Sequence, residues 1–359
     1  MRIALATDAW HPQVNGVVRT LAATVAELRR RSIQVDTLTP EDCLTMPMPG
    51  YSSIRLAVAP RFRVRRMLSS LSPDIVHIAT EGPIGWSARA WCLATGTPFT
   101  TAFHTRFPEY AALRTGISAE RFWPVLRRFH APSRAVLVAT ESLQAELKQR
   151  GFPRLARWTR GIDQSVFSPT GYQHPAMRNL PKPVLLSVGR VAPEKNLEAL
   201  LDADVPGTKV VVGDGPALAR LQARYPEALF LGKLLGEELA AAYRSADCFV
   251  FPSKTDTFGL VVIEALACGT PVAAYPVQGP IDILGPDGRG TAESLSTAAG
   301  VLCNDLGTAI ESACRIERGS AARLGEAYTW ERATDLFVQV LSQALADDPA
   351  SAAQALEPA

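Results

Sequence analysis

Short apolar runs alternate along the chain with stretches whose apolar residues recur at helical spacing. Near the start, a strand predicted over residues 2–7 is followed by an amphipathic helix over 17–31 and a strand over 33–38. In the second half, the apolar run Cys248–Phe251 is followed by a polar loop, a helical run ending at Gly269, and another strand. Strand, helix and strand in this order form the parallel crossover unit, so the pattern predicts an α/β fold.

The chain is long enough for two domains with separate cores. It has 359 residues, of which 47% are hydrophobic and 20% are charged, an ordinary globular composition. Residues 171–183 contain three prolines, which predicts a linker between the two halves. Residues 348–359 are rich in Ala, Pro and Ser and are expected to form a frayed tail.

Signals for membrane insertion or export are missing from the sequence. No apolar run approaches the roughly 18 residues that a transmembrane helix needs. Asp8 follows the N-terminus too closely for a signal peptide. The six cysteines are scattered and form no C-x-x-C pair, which favours reduced thiols. We therefore expect a cytoplasmic protein.

Charge is distributed unevenly between the halves. Residues 1–165 carry 22 Lys and Arg against 12 Asp and Glu, a net charge of +10, and the remainder carries −8. This asymmetry indicates that the first half faces an anionic surface, although a solvated basic face would give the same count. No nucleic-acid-binding motif accompanies the basic residues, so nucleic acid is not expected as a partner.

Two carboxylates mark the unit around the run Cys248–Phe251. Asp256 lies in the loop, and Glu264 lies on the following helix among apolar residues. A buried carboxylate without a partner costs several kcal/mol. Glu264 is therefore expected to meet ligand hydroxyl groups or, alternatively, a structural cap or salt bridge. The helix N-terminus near Gly259 offers free N–H groups to a phosphate or sugar oxygen.

The spacing of these acids, ahead of Ala265-Leu266-Ala267-Cys268-Gly269-Thr270-Pro271-Val272, resembles the signature of the retaining GT-B glycosyltransferases of family 4. Asp256 stands where the family more often has Glu. The resemblance implies a GT-B fold with two Rossmann-like domains facing a cleft. It also implies that Asp256 and the loop residues Phe258, Gly259 and Leu260 hold the donor sugar, and that Glu264 binds the nucleotide ribose.

The resemblance also implies domain boundaries. The first domain covers residues 1–168 and holds the acceptor, and the second covers 169–328 and holds the nucleotide sugar. A C-terminal helix over 329–347 crosses back to the first domain.

Two cations follow the first strand of the second domain. Arg190 and Lys195 lie between a strand and a helix, an arrangement that suits a diphosphate, although surface salt bridging would also account for them. The family resemblance implies that they clamp the donor diphosphate. It further implies that Gly232, Lys233 and Leu234 lie against the nucleobase.

The first domain supplies further candidates. Asn15, Gly16 and Val17 resemble the family's glycine loop, whose backbone meets the donor diphosphate; an ordinary Asn-Gly turn is the alternative. His104 follows a strand, where the family places a His beside the donor sugar. The remaining candidates would lie towards the acceptor: Arg106, Glu109 and Tyr110.

The expected reaction needs no metal or other cofactor. The D-x-D sequence Asp202-Ala203-Asp204 ends a helical run and is interpreted as a solvated helix end. The resemblance implies transfer of a hexose or hexuronic acid, with retention, from a UDP- or GDP-linked sugar to a lipid such as diacylglycerol. A mannosyltransferase or glucosyltransferase with a soluble or polysaccharide acceptor, a GT-B sugar-nucleotide epimerase, and a non-catalytic nucleotide-sugar sensor are the alternatives.

Two segments of the first domain combine arginines with large apolar residues. They are 61–68, with Arg65 and Arg66, and 121–130, with Arg127 and Arg128. Such helices can lie in the headgroup region of an anionic membrane, which predicts a peripheral location on the inner face of the cell membrane. The competing interpretation is that their apolar side chains, including Phe62, Trp123 and Phe129, belong to the core.

Overall fold

The computed structural model describes residues 1–13, 15–48, 51–58, 60–254, 256, 258–288 and 298–346. By its internal packing, the chain forms two compact units. One unit comprises Met1–Thr159 together with the C-terminal segment from Trp330, and the other comprises Arg160–Thr329. Each unit is built around its own sheet, so each is described by itself.

The first unit contains a parallel sheet of six strands in the order β2-β1-β5-β6-β7-β8, with a separate antiparallel pair, β3 and β4. Its elements are β1 (Arg2–Ala6), α1 (Gly16–Arg30), β2 (Gln34–Leu38), β3 (Thr45–Met48), β4 (Tyr51–Ala57), α2 (Arg61–Leu71), β5 (Ile75–Ile78), α3 (Pro83–Thr95), β6 (Phe99–Phe103), α4 (Phe107–Thr115), α5 (Trp123–His130), β7 (Val136–Val138), α6 (Glu141–Gln149) and β8 (Leu155–Arg157). The last helix of the chain, Trp330–Ala346, also packs in this unit.

The second unit contains another parallel sheet of six strands, in the order β11-β10-β9-β12-β13-β14. Its elements are β9 (Val184–Val188), α7 (Glu198–Leu201), β10 (Thr208–Val212), α8 (Leu218–Arg224), β11 (Leu229–Gly232), α9 (Gly236–Ser245), β12 (Cys248–Phe251), α10 (Leu260–Ala267), β13 (Val272–Ala274), α11 (Gln278–Leu284), β14 (Gly300–Leu302), α12 (Leu306–Ala313) and α13 (Arg318–Gly325). The last helix of the chain is therefore α14. Two Rossmann-like α/β halves confirm the predicted fold class.

The helices of the first unit cover its sheet on opposite faces. One apolar cluster joins the sheet to α1 and α14 through residues such as Leu21 and Phe337. A second cluster contains Val64 of α2, Ile84 of α3 and Phe129 of α5. A third contains Trp123 of α5 and Leu143 of α6. Because α2, α3 and α5 share one cluster, their outer surfaces lie on the same side of this unit.

The division between the units differs from the predicted boundary after residue 168. Residues 160–168 pack with the second unit, where Ile162 bridges Thr329 and the ring of Phe167 lies 6.2 Å from that of Tyr243. Backbone pairing and ring contacts thus fix this segment. Prolines in residues 171–183 could not reveal these contacts.

The two basic amphipathic segments differ in what they expose. On α5, Trp123, Leu126 and Phe129 are buried, so the core interpretation is right for these three side chains and their proposed insertion into lipid is wrong. On α2, Val64 and Leu68 are buried, whereas Phe62 is 78% exposed. Across the described residues, every helix is too short or too polar to span a bilayer.

Candidate active site

Each parallel sheet has a switch point, where the order of successive strands reverses. Polar loops lie at this point. In the second unit, β9 lies between β10 and β12, so the loops that follow β9 and β12 leave the sheet side by side. In the first unit, β1 lies between β2 and β5, which brings together the loops after β1 and β5. Ligands of open α/β sheets bind at such switch points, at the carboxyl ends of the strands.

The switch point of the second unit joins two predicted site residues. The Nζ atom of Lys195 lies 2.5 Å from Oδ1 of Asp256, and both side chains are largely buried. The Oδ2 atom of Asp256 is buried and has no hydrogen-bond partner among the described residues. A sugar hydroxyl could satisfy Oδ2, while Lys195 supplies positive charge for a diphosphate.

Asn196 holds Lys195 in this position, a role that the sequence did not reveal. Lys195 ends a 3₁₀ turn, Pro193–Lys195, and Asn196 then adopts a left-handed conformation with φ of +53°. Its Nδ2 donates to the carbonyl oxygen of Pro252, just after β12, at 3.1 Å. The loop after β9 is thereby tied to the loop that carries Asp256.

Glycines permit the close approach of backbone segments around this loop. Gly259 begins α10 with φ of +95°, a conformation that favours glycine. A Cβ atom on Gly279 would lie 2.6 Å from the carbonyl oxygen of Phe258, so only glycine lets α11 support the loop so closely. Among the described residues, no side chain forms a capping hydrogen bond at the N-terminus of α10. Its first amides, including that of Leu260, therefore suit an oxygen of a phosphate or sugar.

Glu264 is buried within α10, with 1% of the residue exposed. The hydroxyl of Tyr243, which is fully buried on α9, donates to Oε2 of Glu264 at 3.1 Å. The expectation that this carboxylate needs a partner therefore has a structural answer in Tyr243. Its ribose contact stays a prediction, and the bond from Tyr243 would fix the carboxylate for that contact.

The other predicted donor residues of this unit lie on neighbouring loops. Arg190 follows β9, where the amide of Val191 donates to the carbonyl oxygen of Asp214. A Cβ atom on Gly213 would lie 1.8 Å from the carbonyl oxygen of Gly189. Glycine at this position therefore lets the two loops pack backbone to backbone. Gly232 ends β11, and its carbonyl oxygen accepts from the amide of Gly213. Lys233, which is exposed, and Leu234 follow on the same loop.

In the first unit, Asn15 is a helix cap. Its Oδ1 accepts from the amides of Val17 and Val18 at 3.0 Å each, at the start of α1. This capping bond explains the Asn-Gly sequence, since Asn is among the preferred N-cap residues. Gly16 is the first residue of α1. The role of Asn15, Gly16 and Val17 in donor binding stays a prediction.

Asp8 occupies the N-terminus of α3, an arrangement that the sequence did not indicate. Its carboxylate accepts from the amides of Ile84 and Gly85 and from the hydroxyl of Thr80, at 2.8 to 3.2 Å. Burial raises the pKa of Asp8, against the lowering effect of these donors. A Cβ atom on Gly82 would lie 2.4 Å from Cγ of Asp8, so glycine is required there.

His104 follows β6 and is 9% exposed. Its ring meets that of the buried Trp158 edge to face at 5.5 Å. Trp158 in turn packs against Phe337 of α14 at 4.9 Å. An aromatic wall therefore supports His104 at the carboxyl end of its strand.

The predicted acceptor residues lie at the start of α4. Arg106 pairs with Glu146 of α6 through a short contact, and Nη1 of Arg106 is 3.4 Å from Oε1 of Glu109. No sequence pattern indicated Glu146, which is 40 residues away from Arg106. Tyr110 lies on α4, and its side chain is outside the described part of the structure.

The D-x-D sequence has a structural explanation. Asp202 follows α7, and its Oδ1 accepts from the hydroxyl of Tyr225 at 2.6 Å. Asp204 is exposed. Neither residue follows a strand at the switch point, where a donor diphosphate is expected.

Two six-stranded parallel sheets, each with polar loops at its switch point, define the GT-B class. Residues 14–166 match the family model of Glycosyltransferase Family 4, and residues 174–298 match that of Glycosyl transferases group 1. A GDP-mannose-dependent alpha-mannosyltransferase of Mycobacterium tuberculosis is 33% identical over 314 residues, covering 81% of this chain and 83% of the relative. The chain therefore belongs to the family 4 GT-B glycosyltransferases.

More distant similarities agree with this assignment. An alpha-monoglucosyldiacylglycerol synthase of Streptococcus pneumoniae is 28% identical over 323 residues, covering 77% of this chain and 71% of the relative. Sucrose-phosphate synthase of Thermosynechococcus elongatus shares the fold with a TM-score of 0.73 at 22% identity, over 96% of this chain and 99% of that one. The protein is thus a glycosyltransferase.

Proposed function

We propose that this protein transfers mannose from GDP-mannose to a hydroxyl group of a membrane lipid, with retention at the anomeric carbon and without a metal. The observation that carries the proposal is the pairing of Lys195 with Asp256 at the switch point of the second unit. The relative from M. tuberculosis is named for GDP-mannose, and that from S. pneumoniae for a glucosylated diacylglycerol. These names support the donor and the lipid acceptor, respectively.

In this proposal, the second unit stabilises the leaving diphosphate. Lys195, Arg190 and the first amides of α10 supply positive charge where negative charge develops, which is the largest contribution in many enzymes. Oδ2 of Asp256 accepts a hydroxyl of the donor sugar, and Glu264 accepts the ribose hydroxyls. The nucleobase lies against Gly232, Lys233 and Leu234. These cations take the place of a metal ion.

Retention follows from attack on the same face of the sugar. The acceptor oxygen bonds to the anomeric carbon as the bond to the diphosphate breaks, and the acceptor proton passes to the leaving phosphate oxygen. In the first unit, His104 contacts the donor sugar, and Arg106, Glu109 and Tyr110 lie towards the acceptor. Orientation of the reacting groups by such contacts contributes several kcal/mol.

The first unit also carries the proposed membrane surface, which we call the α2 face. It consists of the outer surfaces of α2, α3 and α5, which lie on one side of the sheet. Phe62, Leu93 and Val125 are exposed there. The exposed arginines of this face are Arg61, Arg63, Arg65, Arg66, Arg127 and Arg128. Apolar groups flanked by cations favour anionic lipid, so we propose a peripheral location on the inner face of the cell membrane.

Burial of the apolar side of α5 also gives weight to a second candidate. Trp123, Leu126 and Phe129 cannot enter lipid, so the membrane surface rests mainly on α2. A smaller surface favours a mannosyltransferase or glucosyltransferase whose acceptor is a soluble glycan or polysaccharide.

A transfer assay tests the proposal. GDP-mannose, UDP-glucose and UDP-glucuronic acid are each supplied with dioleoylglycerol in anionic vesicles or with methyl α-mannoside, in the presence of excess EDTA. We expect an α-mannosylated lipid, identified by the one-bond coupling between the anomeric carbon and its proton in the product. A β-linked product would contradict retention, and activity only after addition of Mg²⁺ or Mn²⁺ would contradict the metal-free mechanism. Transfer only to methyl α-mannoside would select the soluble acceptor.

Two further outcomes would point to other classes of function. Release of an epimerised sugar without transfer would select a sugar-nucleotide epimerase. Donor binding by calorimetry, with neither hydrolysis nor transfer, would select a nucleotide-sugar sensor.

A further inference from the structure

Glu81 lies in the loop after β5, at the switch point of the first unit. The strands β5 and β6 are parallel, and Ile78 pairs with Thr101. Glu81 lies three residues after Ile78, in the loop that follows β5, and His104 directly follows β6. Glu81 keeps 17% of its side chain exposed.

A buried histidine holds the carboxylate of Glu81. His130 is fully buried, its Nε2 lies 3.2 Å from Oε1 of Glu81, and its Nδ1 lies 2.8 Å from the hydroxyl oxygen of Thr101. The hydroxyl of Thr101 donates to that of Ser133, and Ser133 donates to the carbonyl oxygen of His130. Because the proton of Thr101 is used on Ser133, Nδ1 of His130 must donate to Thr101.

This assignment fixes the proton count of the pair. With a proton on Nδ1, the contact between Nε2 and Oε1 needs one more proton, carried either by the imidazole or by the carboxyl group. In both states the pair shares that proton, so His130 fixes the orientation of the Glu81 side chain. Within the described parts of the chain, Oε1 is the only oxygen of Glu81 in a hydrogen bond. Oε2 remains as an acceptor at the carboxyl end of the sheet.

Asp8, in the loop after β1, is a carboxylate with a purely structural role and serves as a comparison for Glu81. Both oxygens of Asp8 are used by Ile84, Gly85 and Thr80. Asp8 therefore holds the start of α3 and has no remaining role at the switch point. Among the described residues, Glu81 has one oxygen held by His130 and one without a hydrogen-bond partner, as a substrate-binding carboxylate requires.

We propose that Oε2 of Glu81 binds a hydroxyl group of the acceptor other than the one that attacks the donor sugar. His130 is the positioning residue that aims Glu81. The proposal names an acceptor-binding group in the first unit that no sequence motif indicated. It rests on the proposed glycosyl transfer, although the chemistry it requires, a polyol with a free hydroxyl, does not depend on the donor.

Glu81→Gln tests the role of Oε2 while its side chain can still bond to His130. With GDP-mannose and octyl glycerol ether, whose two hydroxyl groups allow one to attack and the other to bind Glu81, we expect the acceptor KM to rise about tenfold, because a hydrogen bond to a charged group becomes one to a neutral amide. The donor KM should change less than about twofold, since the pair lies in the acceptor-binding unit. Glu41→Gln, an exposed acid of the same unit, is the matched control and should leave both KM values unchanged.

A second readout needs no turnover and keeps the test independent of the proposed acceptor. Saturation-transfer NMR of methyl α-mannoside and of octyl glycerol ether is recorded with GDP-loaded wild type and Glu81→Gln. We expect the signal of at least one probe to fall at least fivefold in the variant, with an unchanged melting temperature. If the wild type fails to transfer the sugar, the proposed function is overturned. The comparison of probe binding by wild type and Glu81→Gln still tests the role of Glu81. An unchanged acceptor KM, or unchanged probe binding in a folded Glu81→Gln protein, would overturn the role of Glu81.

Discussion

The ammonium group of Lys195 lies 2.5 Å from a carboxylate oxygen of Asp256, although 61 residues separate them in the chain. The family resemblance implies that these residues meet different parts of the donor, Lys195 the diphosphate and Asp256 the sugar. Their opposite charges neutralise each other in this ion pair. A diphosphate that binds Lys195 must therefore compete with Asp256, which couples the two contacts.

This competition predicts opposite changes of GDP affinity in two variants. Asp256→Asn should bind GDP about fivefold more tightly, because an ion pair of about 1 kcal/mol no longer competes for Lys195. Lys195→Ala should bind GDP more weakly, and transfer should fall at least about a hundredfold in both, as on loss of a group that stabilises developing charge. Calorimetry with GDP and initial rates measure these effects.

Asp204→Asn, the same substitution at an exposed acid of the same unit, is the control and should change neither quantity. Weaker GDP binding by Asp256→Asn would contradict the competition.

Glu264 and Tyr243 allow ribose binding to be separated from helix stability. Glu264→Gln should weaken GDP binding by about tenfold to a hundredfold, because a charge-assisted bond to the ribose hydroxyls becomes neutral. Tyr243→Phe removes only the hydroxyl that donates to Glu264 at 3.1 Å, and should weaken GDP binding less, by misplacing the carboxylate.

Calorimetry and thermal denaturation of both variants make this comparison. If Glu264 is purely structural, both variants will lose thermal stability, and the folded Glu264→Gln protein will bind GDP as wild type does.

The α2 face should carry membrane binding. Wild type should float with anionic vesicles, less with neutral ones, and much less at about 0.5 M salt because the attraction is screened. Arg65→Glu with Arg66→Glu should reduce flotation at least about tenfold, since each basic residue contributes about 1 kcal/mol. Phe62→Ser should reduce it further. Donor binding should be unchanged in these variants.

The opposite side of the unit supplies the matched control for flotation. Arg29 of α1 and Arg332 of α14 are exposed there, and their change to Glu alters the net charge by the same amount. Equal loss of flotation in both double variants would indicate attraction by total charge, without a defined face. A wild type that stays unbound at low salt would remove the physical support for a lipid acceptor.

Stability should depend on pH through Glu27 of α1. Hydrogen bonds from Arg30 and Arg31, against the effect of burial, lower the pKa of Glu27 from its usual 4.5 to about 2. A lowered pKa in the folded state stabilises the protein above pH 4.5, and this stabilisation is lost as the pH falls towards 2. Glu27→Gln should lower the free energy of unfolding by about 1 kcal/mol at pH 7. The effect is no larger because Arg30 is largely exposed and solvent screens its ion pair with Glu27.

Urea unfolding at several pH values tests this expectation. The difference between wild type and Glu27→Gln should shrink below pH 4.5. A constant difference down to pH 3 would show that the ion pairs of Glu27 do not contribute.

The sequence by itself determined the fold class, the acids at 256 and 264, and the cations at 190 and 195. These features are local: apolar periodicity specifies strands and helices within a few turns, and a loop motif keeps its spacing wherever the chain folds. The same periodicity gave two interpretations of residues 121–130, because an amphipathic pattern shows only that one side avoids water. Tertiary structure alone decided that Trp123 and Phe129 meet protein and that Phe62 meets solvent.

Tertiary structure also decided which groups meet across the sheets. Tyr243 with Glu264, Asn196 with Pro252, and His130 with Glu81 are contacts between elements that are 21, 56 and 49 residues apart. Nothing in the local sequence specifies such pairs. They arise because parallel strands bring distant loops to one edge, where buried polar groups must find partners. The sequence therefore determined which chemical groups were available, and packing of the sheets decided which of them were held, which were used as caps and which were left to meet a substrate.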